Sequence, residues 1–293
     1  MDKVTKICNN KLRQRKLKIG YWNLQPVYVQ ALIYADDVVL MAETEEKLQE
    51  IVTTWTNNLK SMNLTMNAEK CKILQITRKK EEEIIKPKIK VEEIELENVE
   101  QFNYLGTVFS GNGKIGQEIK NRIAPTTRTY YQINQTIINK KEIQQKTKMQ
   151  IYHSEFLPTL MYGCESWAKT KKIESQVTAM EMRYLRRVIN KTRWDRERNE
   201  KIRKDLNVTP IVEKIEEKQL KWFGHVKRMG PERIVKRCVE AREWEKRSRG
   251  RPRSTWLNTV EQYGQRRGKT TKEMEIMVKD RKVWKAFSEA TRR

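Results

Sequence analysis

The sequence predicts an α+β chain, in which short antiparallel strands and one helix come first and an all-helical region follows. Three observations predict it. Runs rich in Val, Ile and Tyr, and strict apolar alternation, end near residue 110. From Ile115 onward apolar residues recur three and four apart. Of 62 Lys and Arg against 38 Asp and Glu (net +24), 36 basic and 18 acidic residues lie between Lys171 and the C-terminus.

The first strands come from VYVQALIY (27–34) and VVLMA (38–42), separated only by Ala35-Asp36-Asp37, which reads as a β-hairpin with acids at its tip. Thr44 then caps a helix over Glu45–Leu59, with Glu45 and Glu46 in its first turn and Leu48, Ile51, Val52, Trp55 and Leu59 on one face. That face must pack on a sheet. Leu64 to Met66 and Ile73 to Ile76 read as short strands, and KKEEEIIKPK (79–88) as an exposed connection. Alternation returns at Ile89, Val91, Ile94 and Leu96 and ends in a second antiparallel element at Phe102-Asn103-Tyr104-Leu105-Gly106.

The helical region begins with Ile115, Ile119 and Ile123, and Pro125 is expected to kink or break that helix. A second helix from about Glu142 is expected to end near Leu157-Pro158, and a third carries Val177, Met180, Tyr184 and Val188. Thr209-Pro210 reads as an N-cap followed by proline at the first helical position. The tail is basic and helical, punctuated by Arg249-Gly250-Arg251-Pro252-Arg253. A flexible basic turn touching phosphates or solvent is favoured there over a minor-groove hook, and Arg249, Arg251 and Arg253 are its candidate nucleic-acid contacts.

A positive excess of this size most naturally meets polyanions, which makes nucleic acid the leading partner class. Cys8, Cys71, Cys164 and Cys238 lie far apart with no CxxC pair, so they read as reduced thiols rather than a disulfide framework or zinc knuckle. No stretch approaches the roughly 18 uninterrupted apolar residues of a membrane span, and no targeting signal is evident. A nuclear or cytoplasmic location without membrane contact is the expectation.

Two adjacent carboxylates on a tight turn repel each other, and a divalent cation compensates them. Nucleotidyl transfer uses two such cations held by hard oxygen ligands, chemistry that Asp36 and Asp37 supply. The plain alternative is an acidic β-turn, because Asp favours turns.

The ordered motifs resemble those of the reverse transcriptases of non-LTR (LINE-type) retrotransposons. Ala31-Leu32-Ile33-Tyr34-Ala35-Asp36-Asp37-Val38-Val39-Leu40 is similar to the family's YADD strand, turn and strand. The resemblance implies Asp36 and Asp37 as catalytic metal-binding residues and Tyr34 beside the substrate. Asn67-Ala68-Glu69-Lys70-Cys71-Lys72 resembles the next motif and implies Lys70 near the incoming triphosphate. Phe102 to Gly106 resembles the primer grip, implying that Tyr104, Leu105 and Gly106 hold the primer end. Leu157-Pro158-Thr159-Leu160-Met161-Tyr162-Gly163-Cys164-Glu165-Ser166-Trp167 resembles the end of the thumb, and Trp222-Phe223-Gly224-His225-Val226 with Gly250-Arg251-Pro252 and Trp256 the C-terminal segment.

The resemblance implies Mg²⁺, deoxynucleotides, an RNA template and a DNA primer. It also implies a third metal-binding aspartate on an earlier strand, yet the only carboxylate before Asp36 is Asp2, in a stretch that resembles the short helix upstream of the YADD strand. The expectation is therefore a truncated palm over 1–110, a helical thumb-like region over 111–170 and a basic helical nucleic-acid-binding region over 171–293. Its Mg²⁺ site is expected to be weak or incomplete, and the polymerase inactive alone. The alternative is a non-catalytic basic nucleic-acid-binding protein derived from a retrotransposon, and a third possibility is a transposon-derived product with little stable fold.

Overall fold

The computed structural model describes residues 7–8, 12, 17–22, 25–77, 85–113, 115–241 and 255–290. The chain divides into two units, Met1–Gly113 with Gly230–Arg249, and Lys114–Met229 with Gly250–Arg293. Mixed strand and helix agree with the α+β expectation, and every described strand lies before Gly111.

In the first unit the strands form five separate two-stranded pairs among the described residues. β1 (Leu17–Trp22) pairs antiparallel with β2 (Gln25–Val29), and β3 (Ala31–Tyr34) with β4 (Asp37–Leu40). The run expected as one strand, 27–34, thus serves two hairpins. It divides at buried Gln30, whose carbonyl accepts the Met41 N–H at 2.8 Å and so already belongs to the second hairpin.

α1 (Glu45–Lys60) starts at Thr44, whose hydroxyl accepts the Lys47 N–H at 3.4 Å. Its Ile51, Trp55 and Leu59 pack with Ala31, Ile33, Val38 and Leu40 of the second hairpin. Val52, on the neighbouring stripe, packs with Ile73, Ile89, Val91 and Leu96. Each such buried side chain contributes about 1.5–3 kcal/mol. The strand expected at Leu64–Met66 is absent, because the end of α1 claims Leu64: Asn63 turns at φ +56 and the Leu64 N–H returns to the Leu59 carbonyl at 3.0 Å.

β5 (Lys72–Leu74) pairs parallel with β8 (Glu97–Val99), tied by the Lys72–Glu97 ion pair at 2.5 Å. Between them β6 (Lys90–Val91) and β7 (Ile94–Glu95) form a small hairpin that buries Ile89, Val91 and Leu96 but leaves Ile94 exposed. β9 (Gln101–Tyr104) and β10 (Thr107–Ser110) close the series.

The second unit is helical. α2 (Ile115–Ile133) continues through Pro125, so the proline does not break it. Ile119 and Tyr130, on either side of the proline, are buried in one core, and that packing outweighs the lost backbone bond. α3 (Gln145–Ile151) leads through a π-helical stretch, Tyr152–Phe156, into α4 (Leu157–Met161), so the helix expected to stop at Pro158 continues past it. Pro158 sits in the first turn of α4, just after the wider π turn, where a missing N–H does least harm.

α5 (Lys171–Val188), α6 (Asn199–Asp205) and the first half of α7 (Ile211–Arg228) complete this core around Tyr152, Phe156, Met180, Tyr184, Ile202 and Ile215. Pro210, not Thr209, is the N-cap of α7, and the cap bond comes from elsewhere: the Glu181 carboxylate accepts the Ile211 N–H at 2.9 Å. α8 (Ile234–Glu240) belongs to the first unit, against β1 and β2.

α9 (Trp256–Arg266), α10 (Thr271–Met277) and α11 (Arg281–Glu289) form a second core with the end of α7, through Leu220, Phe223, Val260, Tyr263, Met274, Trp284 and Phe287. Gly224 is required there. A Cβ on it would lie 2.1 Å from the Trp284 indole nitrogen, which donates to the Leu220 carbonyl at 2.9 Å.

Candidate active site

The β3–β4 hairpin has a two-residue tip, Ala35-Asp36, with Tyr34 opposite Asp37. Asp37 is thus the first strand residue, not part of the turn. Ala35 holds φ +52, a left-handed conformation that favours Gly or Asn. Strand alternation sends Ala31, Ile33, Val38 and Leu40 toward α1, and leaves Leu32 and Tyr34 exposed on the other face. Tyr34 is 63% exposed, and Asp36 and Asp37 are both exposed.

The β9–β10 hairpin has the same design, a two-residue tip at Leu105-Gly106 between paired Tyr104 and Thr107. Both tip residues take positive φ, +50 and +75, the mirror-type turn that matches strand twist. Gly106 adopts it freely, and Leu105 does so under strain. Partial burial, and secondarily the Asp37 charge, raise the Tyr104 phenol above the ordinary tyrosine range. The structure therefore brings Asp37 and Tyr104 within electrostatic reach.

Lys70 lies in a separate tight turn before β5. The Asn67 side chain accepts the Lys70 N–H at 3.2 Å, and the Asn67 carbonyl accepts the Cys71 N–H at 3.2 Å. The Lys70 side chain is exposed and makes no ion pair with Asp36 or Asp37. Arg249, Arg251 and Arg253 lie outside the described residues, as does Asp2.

The Asp36 and Asp37 oxygens suit a hard divalent cation in kind. In number they fall short: among the described residues no three His, Cys, Asp or Glu side chains gather as a metal-ligand cluster. The described residues do not fit a complete two-cation site.

Of the C-terminal aromatics, Trp222 and His225 stand 5.4 Å apart on the side of α7 away from the buried Phe223 and Gly224. Sequence reasoning passed over a cluster of cations on α5, for which the four-residue spacing of Arg183 and Arg187 was the available signal.

Residues 1–109 match the family model described as reverse transcriptase (RNA-dependent DNA polymerase). An uncharacterised transposon-derived protein of Caenorhabditis elegans is 24% identical over 263 residues, 87% of this chain and 93% of that protein. A retrovirus-related Pol polyprotein from the type-1 retrotransposable element R2 of Nasonia vitripennis is 36% identical over 100 residues. Those cover 30% of this chain but 9% of the polyprotein. No solved structure matches the chain.

Proposed function

We propose, from the premise that this chain belongs with the non-LTR retrotransposon reverse transcriptases and carries their domain over residues 1–109, that its first unit is the C-terminal end of a polymerase palm. In that reading Asp36 and Asp37 are the acids at the nucleotidyl-transfer centre and Tyr34 borders the nucleotide. Lys70 serves the triphosphate, and Tyr104, Leu105 and Gly106 hold the primer terminus. α2 to α4 act as a thumb on an RNA template and DNA primer.

The observation that carries the reading is the Tyr34-Ala35-Asp36-Asp37 hairpin tip inside the region that matches the reverse-transcriptase family model, with a candidate primer-holding residue, Tyr104, within electrostatic reach of a candidate catalytic acid, Asp37. A polymerase needs both at one place, because the primer 3′-hydroxyl must reach the metal-binding acids. What these residues do without further acids is bind and orient. The strained tips at Ala35 and Leu105 and the packing of β3 and β4 on α1 fix the two loops in position.

With two carboxylates at the tip, this chain by itself is expected to bind primer–template and not extend it. Primer extension on an RNA template with Mg²⁺ tests this, with and without an added upstream palm fragment. Synthesis that appears only with the added fragment and is lost on Asp36→Ala supports the reading. Robust synthesis by the 293-residue chain alone, abolished by the same substitution, overturns its incompleteness; synthesis indifferent to Asp36 overturns the site.

A further inference from the structure

The second unit holds an open cleft of about 900 Å³ between the outer stripe of α5, the end of α2 and the loop that follows α5. Its volume is that of a ligand site, and its lining is cationic: Arg183, Arg186, Arg187, Lys191 and Arg193, with Tyr131 at the edge. The helix period builds it. On α5, Ser175, Ala179, Arg183 and Arg187 follow at four-residue intervals on the exposed side, so small residues leave space at one end and guanidinium groups crowd the other.

These charges have few counterions of their own. Arg183, Arg187 and Arg193 are exposed and make no ion pair among the described residues, and Lys191 meets Asp195 only at 3.7 Å. Arg186 donates to the Asn199 side chain, while its Nε is buried and unpartnered. Arg186 is held below the usual arginine range, first by burial and then by the neighbouring Arg193 and Arg203 charges. Of the two carboxylates in the lining, Glu174 is engaged by Lys169 and only Glu213 remains to offset the cations. Such crowding is relieved by an anion with several charges in a row.

Two aromatic residues accompany the cations. Tyr131 is 53% exposed in the lining, and Trp194, next to Arg193, is 93% exposed. Rings displayed among arginines offer faces on which unpaired bases stack, whereas the bases of a duplex are already stacked on one another.

We infer that this cleft binds the backbone of single-stranded nucleic acid, with Arg183, Arg187 and Arg193 on phosphates and Tyr131 and Trp194 on bases. The site shares no residue with the hairpin tips. It rests on the polymerase reading only for the class of partner.

The test is fluorescence anisotropy of the full chain with labelled 20-mers of oligo(dT) and oligo(rU) and a duplex of equal length, over a salt series. Relative to wild type, Arg183→Ala/Arg187→Ala/Arg193→Ala is expected to weaken single-strand binding tenfold or more. The slope of log affinity against log salt should fall by about 2, since each phosphate contact contributes about 0.7 on single strands. Lys272→Ala/Lys279→Ala/Lys282→Ala removes the same charge from exposed positions outside the cleft and should change binding less than threefold. Tyr131→Ala/Trp194→Ala, at exposed sites that do not support the core, should weaken binding about tenfold with the salt slope unchanged.

Equal loss in the two charge variants overturns the cleft, as does tighter binding of the duplex or an unaltered affinity in both the arginine and aromatic variants. Those results leave the polymerase reading standing. A wild-type chain that binds none of these probes at low salt overturns that reading as well.

Discussion

Asp37, at the start of β4, stands within electrostatic reach of Tyr104, at the end of β9, and adds to the burial that keeps the Tyr104 phenol protonated. Asp37→Asn should therefore lower the Tyr104 pKa part of the way, leaving the contribution of burial. A ¹³C-tyrosine NMR titration measures this, with Tyr104→Phe to assign the signal. A phenol raised in the folded state contributes stability that is fully present below its unfolded pKa and is lost as pH rises through the folded one. Asp37→Asn should thus soften alkaline destabilisation and leave neutral stability unchanged by this route. A Tyr104 titration identical in Asp37→Asn would mean that the Asp37 charge does not reach Tyr104.

Ala35 turns the candidate acidic tip at φ +52, where a Cβ crowds the following carbonyl at a cost of about 1–2 kcal/mol. Ala35→Gly removes the clash but adds freedom to the unfolded chain, so a net gain of about 0.5–1 kcal/mol is expected in urea unfolding. A destabilised Ala35→Gly would show that the tip is unstrained.

The candidate site was legible where chemistry is local. Tyr34 to Asp37 between β-branched runs, and Tyr104 to Gly106 between alternating ones, mark hairpins through turn residues a few positions apart. The α1 face could be read from Ile51, Trp55 and Leu59 for the same reason. What the sequence did not disclose is set at long range. Gln30 ends one hairpin because Met41 claims its carbonyl, and Leu64 is drawn into the end of α1 instead of a strand. That the Asp37 charge reaches Tyr104 depends on how the pairs pack, which no spacing encodes. Nor did Arg183 and Arg187 stand out in a chain with 62 basic residues until folding set them beside Arg186, Lys191 and Arg193 around one cleft.

Pro125 lies exposed inside α2, where it withholds the N–H that would bond the Asn121 carbonyl. The Thr126 and Thr127 hydroxyls hold neighbouring carbonyls instead, those of Arg122 and Ile123, at 2.9 and 2.7 Å. Pro125→Ala should stabilise the second unit by about 2 kcal/mol, the helix gain less the added freedom of the unfolded chain. Urea unfolding followed by far-ultraviolet circular dichroism measures it. A loss of stability would show that a bend at Pro125 is needed to bring Ile119 and Tyr130 into one core.

Glu181 joins three parts of the second unit through a side chain that is 0% exposed. Its carboxylate accepts the Tyr152 hydroxyl at 3.1 Å, the Arg203 guanidinium at 2.7 Å and the Ile211 N–H at 2.9 Å. Burial pushes its pKa up, and these partners, Arg203 first, oppose that shift. Glu181→Ala strands a largely buried guanidinium, a buried phenol and the first N–H of α7 together, and should cost about 3–5 kcal/mol. Arg203→Ala leaves Tyr152 and Ile211 to hold a carboxyl that can protonate, so its loss should be smaller. If the pair acts as a unit, Glu181→Ala/Arg203→Ala will be less destabilised than the two single losses added, with a coupling of about 1–3 kcal/mol in urea unfolding. Strict additivity would leave Glu181 only the roles of capping α7 and accepting from Tyr152, with Arg203 energetically idle beside it.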